Sequence, residues 1–206
     1  GSNRATAYYG DDFYAGQMDG SYRSARKYVD LLCSVHAPRS VVDVGCGRGT
    51  WLRACKEHGA ENLVGFDGDW NTQANMVDPS IRFRAVDLGN PAALTSSTRF
   101  DLALSLEVAE HLPAAVAPAF VAALTTLADV IMFSAACPGQ GGSNHVNEQP
   151  QSYWAALFAA RGYVVFDLFR PVFWGDTDVE YWYQQNTFLY VQADHPLIQR
   201  MIELNM

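Results

Sequence analysis

Residues 41–49, V-V-D-V-G-C-G-R-G, decide the fold class of this chain. A short apolar segment runs into three closely spaced glycines, Gly45, Gly47 and Gly49, and a helical pattern over residues 50–58 follows them. A strand, a glycine-rich turn and a helix in this order are typical of a parallel sheet that binds a ligand at the carboxyl ends of its strands. Glycine allows a tight turn and the close approach of a ligand, and the first turn of the helix offers free N–H groups.

Outward from this stretch, short apolar segments alternate with helical patterns over most of the chain. The predicted strands are residues 40–44, 62–66, 81–86, 100–106, 129–134, 163–169 and 186–191. The predicted helices are residues 50–58, a segment beginning at Asn90-Pro91, residues 113–127 and residues 151–161. This alternation predicts an α/β fold with a parallel sheet and helices on its faces. The last strand is expected to be antiparallel, because no long helical period precedes it and a parallel neighbour needs a crossover helix.

Acidic residues stand at or near the ends of the four predicted strands around the glycines. They are Asp43, Asp67, Asp87 and Glu107. At the shared edge of a parallel sheet these acids would repel a pyrophosphate and attract a positively charged ligand. S-adenosylmethionine (SAM) carries a positive sulfonium and a positive ammonium, so it fits this row of acids. The spacing G-x-G-x-G, with Thr50 where the dinucleotide motif has its third glycine, also disfavours a dinucleotide.

Each of these acids has a predicted role and a structural alternative. Asp67 lies 20 residues after Gly47, where a carboxylate can accept hydrogen bonds from both ribose hydroxyls of the cofactor, or else it caps a turn. Asp87 can accept a hydrogen bond from the adenine amino group, or it can cap the segment that begins at Asn90. Asp43 either contacts the methionine part of SAM, directly or through water, or it only organises the glycine turn.

Four motifs resemble, in the same order, those of class I SAM-dependent methyltransferases. They are V-V-D-V-G-C-G-R-G at 41–49, G-F-D at 65–67, V-D-L at 86–88 and F-D-L-A-L-S-L-E-V-A-E-H-L at 100–112. The resemblance covers residues 39–194 and implies a Rossmann-like, doubly wound sheet of seven strands in the order 3-2-1-4-5-7-6, with strand 7 antiparallel. It implies SAM as the cofactor and S-adenosylhomocysteine as the product. The cofactor-binding residues that it implies in or next to the motifs are Asp43, Gly45, Cys46, Gly47, Asp67, Gly68, Asp87, Leu88 and Glu107.

The resemblance also indicates how the chain is divided. A single methyltransferase domain over residues 1–206 is expected, with a short helical N-terminal cap over residues 1–38 and a core over residues 39–194. The cap is expected to lie across the top of the sheet. Two further stretches, D-G-S-Y-R-S-A at 19–25 and P-G-Q-G-G-S-N-H-V-N-E-Q at 138–149, look like a bacterial subgroup associated with sugar and secondary-metabolite genes.

The N-terminal region supplies candidate partners for the carboxylate of the cofactor. They are Gln17, Tyr22 and Arg23. Arg23 is favoured because a guanidinium can hold a carboxylate in a bidentate fashion. An aromatic ring from this region could also face the sulfonium, an interaction of about 1–2 kcal/mol once water is excluded. The structural alternative is that the aromatic residues only pack the cap.

Two histidines are the candidate catalytic residues. Transfer of a methyl group to a hydroxyl needs a base as well as alignment. His111 follows the end of the fourth predicted strand and His145 lies in the long loop at residues 135–150, so both are expected on the ligand side. The alternative is that they make hydrogen bonds that organise the loop. No metal ion is expected, because the cluster around His145 and Glu148 lacks a second histidine or paired aspartates at ligand spacing.

The composition excludes several classes of protein. The 206 residues contain 14 Lys plus Arg against 22 Asp plus Glu, a net charge of −8, which disfavours a nucleic acid as partner. No apolar run approaches the ~20 residues of a membrane helix, so no membrane partner and a cytoplasmic location are expected. The four cysteines are not paired at disulfide or zinc spacing, which favours reduced thiols.

Together these patterns predict a SAM-dependent methyltransferase acting on a small molecule, with a hydroxyl of a sugar or natural product as the favoured acceptor. One alternative is an N-methyltransferase acting on a small amine, which would tolerate loss of both His145 and His111. A second is a SAM-binding subunit without catalysis, whose acceptor cavity would be filled by side chains. A third is NAD-dependent redox chemistry, which predicts stabilisation by NAD but not by S-adenosylhomocysteine.

Overall fold

A sheet of seven strands forms the centre of the protein. The structure is a computed structural model that describes residues 20–206. The strands are β1 Ser40–Val44, β2 Asn62–Asp67, β3 Arg82–Ala85, β4 Leu102–Leu106, β5 Val130–Ser134, β6 Tyr163–Phe166 and β7 Phe188–Gln192. Their order across the sheet is β3-β2-β1-β4-β5-β7-β6, which confirms the predicted topology.

Helices cover both faces of this sheet. They are α1 (residues 20–33), α2 Thr50–Glu57, α3 Ala117–Leu127, α4 Gln151–Ala159, α5 Arg170–Phe173, α6 Tyr181–Asn186 and α7 Leu197–Glu203. Single 3₁₀ turns occupy Gln73–Asn75, Pro91–Ala93 and Ala109–His111. Within residues 20–206, none of the helices has both the length and the apolar character that a bilayer span requires.

The direction of the last strand follows from the chain that precedes it. β1 to β5 run parallel, whereas β7 is antiparallel to both β5 and β6. Between β6 and β7 the chain forms only α5 and α6, of 4 and 6 residues, which are too short to carry it back along the sheet. The carboxyl ends of β1, β2, β3 and β4 therefore all open on one edge of the sheet, called the carboxyl edge below.

Side chains of the central strands alternate between two apolar layers. In β5, Val130 and Met132 pack in the layer formed with α1, α2, α5, α6 and α7. Ile131 and Phe133 pack in the opposite layer, formed with α3 and α4. All five residues of β5 are buried, as expected for a parallel strand that is covered by helices on both faces.

The part of the N-terminal cap that the structure describes lies on a face of the sheet. Nε1 of Trp51, at the start of α2, donates to Oγ of Ser21 at 3.2 Å, so the first described turn of α1 lies near the carboxyl edge. The helix then runs along the face, where Tyr28 stacks on Phe169 and Phe173 at 4.9 and 4.6 Å between ring centroids. The expected position across the top of the sheet is therefore wrong for residues 20–33, because their apolar stripe packs into the core.

The segment beginning at Asn90-Pro91 does not form the predicted helix. Only a single 3₁₀ turn, Pro91–Ala93, follows Asn90, whose side chain makes no capping hydrogen bond. Between this turn and β4 only Leu94 and Phe100 are buried. A longer helix would have no apolar stripe to pack against the sheet, so the local start signal is overridden.

Prolines set two boundaries that differ from the sequence-based prediction. α3 begins later than predicted, at Ala117, with Pro118 in its first turn, where the missing N–H costs no helical hydrogen bond. β6 ends earlier than predicted, at Phe166, because the chain turns into α5, whose first turn contains Pro171.

Replacement of Gly49 by alanine is expected to destabilise the protein by about 2 kcal/mol. Gly49 precedes α2 with φ +85°, and a Cβ there would lie 2.7 Å from Cδ1 of Ile81. Gly59→Ala is the matched control, because Gly59 has φ +99° but no neighbour within 4 Å of a Cβ. Urea unfolding of both variants should show the larger loss for Gly49→Ala, and equal losses would contradict a steric contribution from Ile81.

Candidate active site

The turn after β1 is closed against the end of β2. Gly45 has φ +89°, a left-handed conformation that favours glycine. Its N–H donates to the carbonyl oxygen of Phe66 at 2.7 Å, and a Cβ at this position would overlap the side chain of Val108. The predicted cofactor residue Cys46 is buried in the same turn, with its Sγ 3.4 Å from the carbonyl oxygen of Gly47. The backbone of this turn is thus fixed at the carboxyl edge.

Asp67 holds the end of β2 to the glycine turn. Its Oδ2 accepts the N–H of Gly47 at 2.8 Å and its Oδ1 accepts the N–H of Gly68 at 2.9 Å. Burial raises the pKa of Asp67, and these two N–H donors oppose that shift. A carboxylate has about four acceptor positions, so each oxygen retains one for a further donor such as a ribose hydroxyl.

Asp43, in β1, is buried next to Asp67 at the end of β2. Its side chain is 3% exposed. Burial raises its pKa to about 8, and the charge of Asp67 adds to this shift. At neutral pH the folded protein therefore keeps a proton on Asp43 unless a positive charge lies nearby. Two acids in this arrangement favour a cationic ligand.

Asn71 is a residue of this site that the sequence analysis missed. It is buried, and its Nδ2 donates to the carbonyl oxygen of Gly47 at 2.6 Å. Its Oδ1 accepts the N–H of Thr72 at 2.9 Å. Asn71 therefore ties the segment after β2 to the glycine turn. A polar residue so soon after Asp67, outside any apolar period, is the signal that could have pointed to it.

A cleft of about 490 Å³ opens between the ends of β2 and β3. It is lined by Asp67, Gly68, Asp69, Trp70, Ala85, Val86, Asp87, Leu88 and Gly89. The structure thus brings together the residues predicted for ribose and for adenine. Oδ1 of Asp87 accepts the N–H of Gly89 at 2.9 Å, so this residue also organises its own turn. Acceptor oxygens beside the exposed ring of Trp70 fit a nucleoside, which combines hydroxyls with a flat base.

Of the N-terminal candidates, Tyr22 and Arg23 are not among the residues that line this cleft, and Gln17 lies outside the described residues. The hydroxyl of Tyr22 donates to the carboxylate of Glu57, and the guanidinium of Arg53 lies over the Tyr22 ring, 5.1 Å from its centroid. Tyr22 therefore lies at the contact between α1 and α2. Arg23 is exposed on α1. Gln17 lies outside residues 20–206, so its predicted contact with the cofactor carboxylate stays a prediction.

Glu107 directly follows β4 and has φ +57°, a rare conformation for a residue with a side chain. Its N–H donates to the carbonyl oxygen of Ser134 at 2.9 Å. Its carboxylate accepts hydrogen bonds from the side-chain amides of Gln140 and Asn186, each at 3.2 Å. Burial raises the pKa of Glu107 to about 7. The residue predicted to contact the cofactor is therefore part of a polar network that joins β4, the loop after β5 and α6.

Glu110 lies in the 3₁₀ turn after β4, and its side chain is fully buried. Neither carboxylate oxygen makes a hydrogen bond with a residue that the structure describes. Burial raises its pKa to about 7, although the N–H groups of Glu110 itself and of Ala136 lie close enough to oppose the shift. Its main-chain oxygen accepts the N–H groups of Val146 and Asn147, both at 3.0 Å, which fastens the long loop to the end of β4.

The two candidate catalytic histidines meet beside Glu110. The ring centroids of His111 and His145 are 4.8 Å apart. Their Nε2 atoms lie 3.6 and 4.0 Å from Oε1 of Glu110. Nδ1 of His145 lies 2.9 Å from Oε2 of Glu148, and Nδ1 of His111 lies 3.3 Å from the carbonyl oxygen of Asn144. The side chains of His111 and His145 are 40% and 11% exposed, so a molecule could reach this cluster through His111.

The amino-acid sequence matches a known protein family. The family described as "Methyltransferase domain" matches residues 14–136, more than half of the chain. The nodulation protein NoeA of Rhizobium meliloti (strain 1021) is 34% identical over 56 residues. That match covers 27% of this chain and 12% of NoeA, so the chain spans only about an eighth of this curated relative.

Solved structures agree with the observed topology. DesVI of Streptomyces venezuelae superposes with a TM-score of 0.66 at 16% identity, covering 94% of this chain and 100% of DesVI. SAM-bound CalS10 of Micromonospora echinaspora superposes with a TM-score of 0.62 at 16% identity, covering 87% of this chain and 96% of CalS10. At such identities the likeness concerns the fold alone, and membership of the family rests on the match to the methyltransferase domain. The chain therefore belongs to the methyltransferase domain family, and its sheet has the strand order expected of the class I fold.

Proposed function

We propose that this protein transfers the methyl group of SAM to a hydroxyl of a small molecule, of the sugar or natural-product type. One observation carries the choice of a hydroxyl: Glu110, His111 and His145 converge beside the carboxyl edge. A hydroxyl is a weak nucleophile until its proton is removed, and this cluster supplies groups that can do so. An amine that reacts in its neutral form would need no such cluster.

The acids of the carboxyl edge are proposed to hold the cofactor. SAM supplies a methyl group on a positively charged sulfur. Asp67 would accept hydrogen bonds from the ribose hydroxyls with the acceptor positions that Gly47 and Gly68 leave open. Asp87 and Leu88 would contact the adenine at the other end of the cleft. Asp43 would lie towards the positive methionine part, which would compensate its charge.

The cluster on β4 is proposed to prepare the acceptor. With Nδ1 of His145 against Glu148, its Nε2 faces Glu110 and is free to exchange a proton. The cluster takes the hydroxyl proton while the acceptor oxygen bonds to the methyl carbon, and the electron pair of the broken carbon–sulfur bond stays on sulfur. Burial of Glu110 and near burial of His145 keep water from competing with the acceptor.

A sugar-like acceptor would suit the polar network next to this cluster. The side-chain amides of Gln140, Gln185 and Asn186 are connected by hydrogen bonds of 2.7 to 2.9 Å and extend from Glu107. Amide groups offer both donors and acceptors, which matches the paired character of sugar hydroxyls. The fold neighbour CalS10 is an amino pentose methyltransferase, which supports an acceptor of this size.

Methyl transfer from isotope-labelled SAM to a panel of sugars, phenols and amines would test the proposed function. The expected product carries the labelled methyl group on oxygen, as identified by carbon NMR and mass spectrometry. The Asp67→Asn variant controls for transfer that does not depend on the cofactor cleft. Methylation of nitrogen alone, or binding of SAM with no transfer to any acceptor of the panel, would contradict the proposal.

A further inference from the structure

We propose that Glu110, His111 and His145 form a binding site for one divalent transition-metal ion, such as Zn²⁺ or Mn²⁺. Oε1 of Glu110 and the Nε2 atoms of the two histidines are the ligand atoms. Two imidazoles and one carboxylate are a donor set that holds such metals while leaving positions open for water or substrate. The proposal of a metal site is supported by the geometry of the side chains alone. The role of the metal in catalysis rests on the proposed function.

The three ligand atoms already lie close together. One oxygen or nitrogen from each residue can be chosen so that all lie within 4.8 Å of one another. Ligands of a zinc ion lie about 2.1 Å from the metal, which places neighbouring ligands about 3 to 3.5 Å apart. Oε1 of Glu110 is 3.6 and 4.0 Å from the two Nε2 atoms, so binding requires a contraction of about 1 Å or less at these two contacts.

Both histidines are oriented as metal ligands usually are. A ligating histidine commonly gives its second ring N–H to a carboxylate or a main-chain carbonyl, which fixes the tautomer and turns the other nitrogen to the metal. Nδ1 of His145 is 2.9 Å from the carboxylate of Glu148, and Nδ1 of His111 is 3.3 Å from the carbonyl oxygen of Asn144. Each contact leaves Nε2 directed at Glu110.

The carboxylate of Glu110 lacks a partner that its burial demands. Its side chain is fully buried and both of its oxygens are without a hydrogen bond to any described residue. A buried carboxylate is costly unless it is paired, hydrogen-bonded or bound to a metal. A cation between Glu110 and the two imidazoles supplies the missing partner.

The backbone holds the three ligands in place. The N–H groups of Val146 and Asn147 both donate to the carbonyl oxygen of Glu110, so the segment that carries His145 is fastened to the segment that carries Glu110. At Gly142 a Cβ would lie 2.6 Å from Cε1 and Nε2 of the His145 ring. The loop is therefore built closely around this imidazole.

The proposed metal site contains a histidine that the sequence pattern around His145 does not supply. The sequence predicts no metal ion because the stretch around His145 and Glu148 contains no second histidine. The fold supplies His111 from the end of β4, and Glu110 takes the place of the ligand expected from Glu148. Bound to the metal, an acceptor hydroxyl would lose its proton more readily, and that proton would pass to water at the exposed His111 side of the cluster. The histidines would then act as ligands rather than as bases.

Metal binding can be measured without SAM or any acceptor. Chelator-treated, tag-free protein is titrated with Zn²⁺ by calorimetry and with Co²⁺ by absorption spectroscopy. One ion should bind per chain, and bound Co²⁺ should show ligand-field bands without thiolate charge transfer. Glu110→Gln and His145→Asn should each weaken binding by about a hundredfold or more, and Glu148→Gln by about tenfold.

A second histidine pair in the chain provides the matched control. The rings of His36 and His195 are 5.6 Å apart in the same edge-to-face geometry, and Nε2 of His36 is already 2.8 Å from the carbonyl oxygen of Asp101. His195→Asn should leave metal affinity unchanged. Circular dichroism verifies that each variant is folded, and Glu110→Gln should fold because it only neutralises a buried group.

The outcomes separate this inference from the proposed function. Absence of binding, or binding that Glu110→Gln and His145→Asn leave intact, would overturn the metal site. Binding lost in these variants supports the site even if no hydroxyl is ever methylated, in which case the proposed function alone fails. Full transferase activity in metal-stripped protein would overturn the catalytic role of the ion while leaving O-methyl transfer intact.

Discussion

Replacement of Asp67 by asparagine is expected to weaken SAM binding by about a hundredfold. A hydrogen bond to a charged group contributes about 1.5–3 kcal/mol, and every 1.4 kcal/mol changes an affinity tenfold. Asparagine keeps one acceptor oxygen, but its NH₂ group would face the N–H of either Gly47 or Gly68. The glycine turn and the ribose contact are therefore both weakened.

Calorimetric titration of S-adenosylhomocysteine and SAM into both proteins gives the affinities. Asp69→Asn is the matched control, because Asp69 lines the same cleft but is exposed. The control should bind within about twofold of the original protein, since an exposed side chain contributes little. Equal affinities for the Asp67→Asn variant and the original protein would remove Asp67 from the cofactor site.

Replacement of Asp43 by asparagine is expected to make the ligand-free protein more stable at pH 8 than the original, by several kcal/mol. The pKa of Asp43 is about 8 in the folded protein, against an ordinary value of 3.8. Between these values the folded state holds a proton that the unfolded state has lost, so stability falls as pH rises. One such group contributes about 1.4 kcal/mol per pH unit.

Urea unfolding at pH 5, 6, 7 and 8 measures this contribution. Other buried acids titrate in both proteins, so the difference in unfolding free energy between them isolates Asp43. That difference should grow in favour of Asp43→Asn by about 1.4 kcal/mol per pH unit as pH rises from 5 to 8. The unfolding free energy of the Asp69→Asn variant should change with pH in the same way as that of the original protein. If the unfolding free energies of Asp43→Asn and the original protein changed with pH in the same way, Asp43 would be ionised in the folded state.

The residues predicted to bind the cofactor could be placed at one cleft from the sequence, because strand ends position them. Asp67 and Asp87 each end an apolar segment, and parallel strands bring such ends to one edge. Their placement near one another can then be predicted without knowing how the loops fold. The cleft that contains both follows directly from this register.

The acceptor half could not be read in the same way. The contact of His111 with His145 depends on how the loop at residues 135–150 folds back onto β4. Two hydrogen bonds to the carbonyl oxygen of Glu110 fix that path, and they come from main-chain N–H groups that no side-chain pattern reveals. Glu110 has the sequence position of an acid in the first turn after β4, and only its complete burial distinguishes it.

Local signals also failed where packing outweighed them. Asn90-Pro91 has the residues of a helix start, yet the chain forms one turn there because little apolar surface follows. Tyr22 is a predicted contact of the cofactor carboxylate and this stays a prediction, while in the structure its hydroxyl donates to the carboxylate of Glu57 on α2. A cap helix can satisfy its polar groups on a neighbouring helix, and sequence order does not show which neighbour that is.

The shortness of β3 affects the dynamics of the carboxyl edge. This strand has four residues and, within residues 20–206, a single neighbouring strand, β2, yet the segment that follows it forms one wall of the cleft. A marginal strand with one partner opens locally at lower free energy than the strands inside the sheet. Under the proposed function, a nucleoside that contacts both walls would bind only the state in which β3 is paired with β2, so its binding would also stabilise this edge of the sheet. Binding of the proposed methyl donor would then raise the amide-exchange protection of β3, because both depend on the same local opening equilibrium.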